Sequence, residues 1–177
     1  AAQALPHASP ECNAFNLATL AWLSRPQAPK IVILSAAADS PQYRADPAFQ
    51  AGLLDAAEAL RRVGKRVILI GPVPSYPSDV PRRVALAWQS QPGIIAQGVP
   101  TAEFLSRNRA VLASLARARG NGFAVFLPHE QLCRERCDLV RGGKVLYFDD
   151  HHLSVAGGRI IAAPLAQLVW QALVLSH

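Results

Sequence analysis

The chain has 177 residues, 51% of them hydrophobic, which suits one domain with a buried core and leaves little room for a second. Its longest apolar stretches, Val67 to Pro74 and Leu165 to Leu175, fall short of the roughly 18 to 20 residues that span a bilayer, and the second contains Gln167 and Gln171. The formal charge of +6 lies on scattered arginines such as Arg61, Arg62, Arg82, Arg83, Arg117 and Arg119, which fits solvated helix faces and argues against a nucleic-acid partner.

In chain order, Ala1 to Pro6 has neither a basic start nor an apolar core, so this stretch encodes no export signal. Residues Asn13 to Leu23 have helical composition, and Lys30 to Ser35 reads as a buried strand. A second helix is expected from Asp46 to Val63: Asp46 and Pro47 make a cap and first turn, and Phe49, Leu53, Leu54, Ala57 and Leu60 form one apolar stripe. Gly64 follows as a stop residue. A second strand, Arg66 to Gly71, ends at Pro72, which has no N–H for a central ladder. From there a proline-rich loop is predicted to run to about Gly98.

Thr101 to Arg119 reads as a helix closed by Gly120, and Gly122 to Leu127 as a third strand. Val145 to Asp149 reads as a fourth strand, followed by a helix from Ser154 towards Leu175 that Gly157, Gly158 and Pro164 weaken. Near-continuous apolar strands alternating with helices predict a parallel sheet in a three-layer α/β/α sandwich, whose ligands bind at the carboxyl ends of the strands.

The spacing of Cys133 and Cys137 can close a small disulfide loop in an oxidising compartment, leaving Cys12 unpaired. The same spacing fits three reduced, partly buried thiols. A tetrahedral zinc site would need four ligands, and only His129 lies near the pair.

The segment Tyr147-Phe-Asp-Asp-His-His-Leu-Ser154 ends an apolar run abruptly in four ionisable side chains. Asp149 and His152 are three apart, a separation that lets a tight turn bring the carboxylate to the imidazole. A carboxylate on one ring nitrogen fixes the tautomer and leaves the other to take a proton from a hydroxyl. An Asp cap beside a surface histidine pair explains the same residues, as does a metal site completed by His129.

Asp149-Asp-His-His-Leu-Ser-Val-Ala-Gly157 resembles the last sequence block of SGNH hydrolases, in the form found in SGNH domains fused to membrane acyltransferases of family 3. Gly71-Pro-Val-Pro-Ser-Tyr-Pro-Ser-Asp-Val-Pro81, Leu132-Cys-Arg-Glu-Arg-Cys137 and Gly143-Lys-Val-Leu-Tyr-Phe-Asp149 resemble segments of those domains in the same order, and Cys12-Asn-Ala-Phe-Asn16 is a weaker match. The resemblance implies a flavodoxin-like fold with His152 as general base, Asp149 as its orienting partner, and a Cys133–Cys137 disulfide. It further implies acetyl transfer onto or off a sugar hydroxyl of a bacterial envelope glycan such as lipopolysaccharide O-antigen. The setting it implies is the periplasm, beside an integral membrane acyltransferase domain, with an acyl donor and a glycan acceptor as partners and no cofactor or metal.

The Gly-Asp-Ser segment that carries the nucleophile in this family does not occur here, so the chain reads as an N-terminally truncated domain or as a degenerate one. The unpaired Cys12 favours truncation, since a disulfide partner upstream would resolve the odd count. Ser35 and Ser75 are the nearest substitutes, but neither sits in the strand-to-helix turn the chemistry requires. A tryptophan of the fused domains is replaced within Ala36-Ala-Ala38, and no oxyanion Gly or Asn can be assigned, although Asn108 and Asn121 are present. The expectation is an O-acyltransferase whose serine is outside this chain; the alternatives are an acetyl esterase of the same fold and a non-catalytic glycan-binding remnant.

Overall fold

A computed structural model describes residues 9–91 and 96–174; Ala1 to Pro6 and Leu175, read above, lie outside the described residues. The first half runs α1 (Pro10–Leu23), β1 (Ile31–Leu34), α2 (Pro41–Ala45), α3 (Pro47–Arg62), β2 (Arg66–Ile70) and α4 (Val80–Ser90). The second half runs α5 (Thr101–Arg107), α6 (Arg109–Gly120), β3 (Ala124–Phe126), α7 (His129–Leu132), β4 (Val140–Arg141), β5 (Lys144–Val145) and α8 (Val155–Val174).

Strands β1, β2 and β3 form a parallel sheet in that order. Side chains alternate across β2: Val67 and Leu69 enter one core, Ile68 and Ile70 the other. The first core is closed by Leu20 of α1, Leu60 of α3 and Leu115 of α6, the second by Ile161, Leu165 and Val169 of α8. Helices on both faces explain why the strand runs are apolar at every position but Arg66, the first residue of β2. The result is the expected α/β/α sandwich, here with three strands in the parallel sheet among the described residues.

The fourth predicted strand does not join that sheet. Lys144 and Val145 pair instead with Arg141 and Val140 in an antiparallel hairpin, turned by Gly142 and Gly143 at φ of 55° and 72°. Both turn residues need the left-handed region, which glycine enters freely. Leu146 and Tyr147 are each 1% exposed, packed with Tyr76, Val80, Leu132 and Leu139 in a third core beside the sandwich. Their burial made the run look like a strand, but the core that buries them lies beside the sheet.

The proline-rich segment contains α4, whose first turn is capped by Asp79 accepting from the Arg82 amide at 2.7 Å, with Pro81 inside the turn. That is the pattern of Asp46 and Pro47 repeated, where Asp46 accepts from the Ala48 amide at 2.8 Å. The helix predicted over 101–119 breaks at Asn108. There the Phe104 carbonyl accepts from both the amide and Nδ2 of Asn108, at 3.1 and 3.0 Å.

Cys133 and Cys137 are disulfide-bonded, and Cys12 is exposed on α1. The loop they close offers its carbonyls to the start of α5: the Thr101 amide donates to Glu135 O at 3.0 Å, and Thr101 Oγ1 to Arg134 O at 2.7 Å. A Cβ on Gly98 would overlap the Cys137 carbonyl, so the two segments touch backbone to backbone. Gly157 plays the same part in α8, where a Cβ would overlap the Leu146 carbonyl; Gly158 faces open space.

Gly157→Ala should therefore cost about 2 kcal/mol through overpacking, whereas Gly158→Ala should gain about 0.5 to 1 kcal/mol from helix propensity. Thermal melts of the two variants moving in opposite directions would verify the close approach; equal shifts would refute it. Cys133→Ser should lower stability by about 2 kcal/mol, the chain-entropy value for so short a loop, as read by urea denaturation.

Candidate active site

The segment from Tyr147 to Ser154 folds back on itself. The Phe148 amide donates to His152 O at 2.8 Å, Tyr147 and Leu153 form an isolated bridge, and the Ser154 amide donates to Leu146 O at 2.9 Å. Asp149 directs this turn: its Oδ1 accepts from the amides of His151 and His152 at 2.9 and 2.7 Å. Ser154 Oγ donates to Val145 O at 2.7 Å and accepts from the Gly157 amide at 3.3 Å, so the turn passes directly into α8.

With Oδ1 held by the backbone, Oδ2 of Asp149 is left for the imidazole. His152 Nδ1 donates to it at 2.7 Å, because a carboxylate only accepts. This fixes the ring as the Nδ1–H tautomer and leaves Nε2 as an acceptor. The His152 side chain is 66% exposed, so that acceptor is open to a ligand. Asp149 is held well below the usual carboxylate range, mainly by the His152 hydrogen bond and then by the two turn amides.

A second pair lies alongside. His151 Nδ1 donates to Asp150 Oδ1 at 2.8 Å, and the two imidazoles stand 3.9 Å apart between ring centroids. Ligand atoms of Asp149, His151 and His152 lie within 4.8 Å of one another, close enough to share an ion. Each imidazole donates from Nδ1 to its carboxylate and Oδ1 of Asp149 accepts two amides, which leaves Nε2 of each ring and one lone pair of Oδ2 uncommitted. His129 is no member of the group: it is buried against Phe104, with burial pushing its pKa down.

Asp150, His151 and His152 form one wall of a cleft of about 870 Å³. Its other walls come from the chain just after β1, Ser35 to Gln42, and just after β2, Val73 to Pro77. The cleft thus opens at the carboxyl ends of two parallel strands, where an open α/β sheet binds ligands. The loop after β2 is fastened to the histidine turn, since the amides of Tyr76 and Val80 donate to the carbonyls of Asp150 and Asp149 at 2.9 and 3.2 Å.

The cleft is built around Asp39, only 2% exposed. Its Oδ1 accepts from Arg107 Nε at 3.0 Å and Asn108 Nδ2 at 2.7 Å. Its Oδ2 accepts from the Ser75 amide at 2.7 Å, Ser75 Oγ at 2.9 Å and Arg107 Nη2. Sequence reasoning passed over Asp39 and Arg107. An acid after a small apolar run at the end of a strand was the available signal, the same one that singled out Asp149.

Ser35 and Ser75 both line the cleft, but Ser75 gives its proton to Asp39, and among the described residues no serine hydroxyl bonds to either histidine ring. Asn108 belongs to the Asp39 network, and Asn121 ends α6, where its carbonyl accepts from Arg61.

A family model described as the SGNH domain fused to AT3 domains matches residues 2–167. A solved structure, the periplasmic domain of a lipopolysaccharide acetyltransferase from Salmonella ser. Paratyphi A, is similar with a TM-score of 0.71 at 16% identity. The similarity covers 89% of this chain and 62% of that one, so this chain spans less than two thirds of its length. Likeness at that identity establishes the fold alone. No curated protein matches the chain. On the family match across nearly all of its length, with the parallel sheet and flanking helices to accompany it, the chain belongs to the SGNH domains that occur fused to AT3 domains.

Proposed function

We propose that this domain transfers an acetyl group to a sugar hydroxyl of a bacterial envelope glycan such as lipopolysaccharide O-antigen, in the periplasm and together with an integral membrane acyltransferase domain. The observation that carries the reading is the 2.7 Å bond from His152 Nδ1 to Asp149 Oδ2, with the ring exposed at the cleft. The family description supports the membrane acyltransferase partner. The Salmonella neighbour, being the periplasmic domain of a lipopolysaccharide acetyltransferase, supports the glycan and the compartment. No helix among the described residues is long and apolar enough to cross a membrane, so the anchor in this reading lies elsewhere.

His152 acts as general base and Asp149 holds it in the productive tautomer. The nucleophile in this reading is a serine outside these 177 residues. Its hydroxyl attacks the acyl carbonyl while Nε2 of His152 takes the proton, and the leaving group departs with that proton. The acceptor sugar hydroxyl then attacks the acyl-serine, again losing its proton to Nε2, and the serine oxygen is reprotonated as the glycan ester leaves. Water in place of the sugar would make the same site an acetyl esterase. A non-catalytic glycan-binding domain is favoured by one observation, that no described serine reaches either imidazole.

In the full polypeptide bearing the serine, His152→Ala should lower acetyl-ester turnover by about a thousandfold or more, and Asp149→Asn by at least about a hundredfold. Undiminished turnover in His152→Ala would remove that residue from the mechanism. A fluorophosphonate probe should label the serine of the full polypeptide and leave the 177-residue chain unlabelled; labelling of Ser35 or Ser75 would overturn the external nucleophile.

Asp149 should remain ionised at pH values below the ordinary 3.8 of an aspartate, followed by carbonyl carbon NMR. The sign follows from linkage: a carboxyl depressed on folding lends the turn its full stability above 3.8 and loses it only as pH falls through the lower folded value. In His152→Ala the titration should move back towards 3.8, since the largest cause of the depression is gone.

A further inference from the structure

The charges around Asp39 do not balance. Two guanidinium groups, Arg107 and Arg44, face this one carboxylate, and all three side chains line the cleft. Arg107 takes the carboxylate as a fork, with Nε on one oxygen and Nη2 on the other, and Nη2 also donates to Ser75 O at 2.8 Å. With Asn108 Nδ2 and the amide and hydroxyl of Ser75, five donors converge on two oxygens that offer about four lone-pair positions. The carboxylate is saturated.

Arg44 is therefore held near Asp39 without bonding to its carboxylate. Its Nε donates to the backbone carbonyl of Asp39 at 3.1 Å and stands 3.6 Å from Oδ1. Its two terminal nitrogens meet no acceptor among the described residues, and 27% of the side chain is exposed. The other acid of the cleft, Asp150, is engaged by His151 Nδ1. One carboxylate thus faces two guanidinium groups, which leaves one positive charge in excess at the cleft and the terminal donors of Arg44 unused. A planar pair of N–H groups in that state suits a carboxylate or a phosphate, which it can hold by two parallel bonds.

We propose that Arg44 forms an anion subsite of the cleft, taking the carboxylate or phosphate of an acidic sugar while a hydroxyl of the same glycan lies at the His152 end. The inference rests on the acceptor reading above and narrows it to a substrate class, glycans bearing a negative charge. Arg44 and His152 line the same cleft, whose volume of about 870 Å³ accommodates a disaccharide-sized ligand. Arg107 sets the position of the subsite by neutralising Asp39, which keeps Arg44 from being drawn inward.

The test is binding to the 177-residue protein, read by NMR shifts at the Arg44 Nε–H and the amides of Ala36 to Ala38. The probes are methyl glucuronide, glucose 6-phosphate and the neutral methyl glucoside. At least one acidic sugar should bind about tenfold more tightly than the neutral one, and which acid wins identifies carboxylate or phosphate. Arg44→Gln should abolish that preference, and Arg44→Lys, a point charge without the fork, should keep part of it. Equal binding of charged and neutral sugars, no binding of either acidic sugar, or an undiminished preference in Arg44→Gln would each overturn the proposal. His152→Ala should leave the preference intact, so loss of the subsite and loss of the proposed base are read separately.

Discussion

A negative charge sealed beneath the cleft governs how this molecule is assembled. Asp39 follows β1, Ser75 follows β2, and Arg107 and Asn108 stand where α5 gives way to α6; the carboxylate is satisfied only when all three segments converge. Leaving a buried carboxylate without those partners would cost several kcal/mol, so the site forms with the fold or not at all. Asn108 illustrates the coupling: the residue that breaks the predicted helix is the one whose side chain reaches Asp39.

The histidine turn is fastened to the same frame by backbone bonds. Its carbonyls accept from Tyr76 and Val80, and the Ser75 next door is bound to Asp39. The imidazole of the proposed base and the guanidinium of Arg44 are thereby tied into one connected lattice of hydrogen bonds. Asp149 belongs to both the backbone and the chemistry, since one oxygen shapes the turn and the other orients the ring.

Much of the layered fold was legible because the strands write apolar runs at 31–34, 67–70 and 124–126, with β2 buried on both faces from Val67 to Ile70 and Ile33 of β1 46% exposed. The same logic misread Val145 to Asp149. Leu146 and Tyr147 are as hidden as any strand residue, but what hides them is a side core formed with Leu132, Leu139 and Val80, which periodicity cannot distinguish from a sheet. Helix α4 was overlooked through composition, Pro81 and the prolines before it hiding a capped first turn at Asp79. The Asp149–His152 contact was readable from a three-residue spacing, because a tight turn is local. The Asp39 network spans 36 and 69 positions of the chain to Ser75 and Asn108, and no local pattern carries that information.

Helix α8 joins two distant parts of the molecule. Its first turn abuts Leu146 through Gly157, and near its other end the Ala172 carbonyl accepts from Arg66 at the amino end of β2. Twenty residues of helix make a rod of about 30 Å, gripped at both tips. Adding or removing one residue anywhere along it would swing one tip by about 100° relative to the other, and only one grip would survive. Length tolerance in this domain should therefore be sought in its connections, while this rod must keep its register to leave the imidazole where it is.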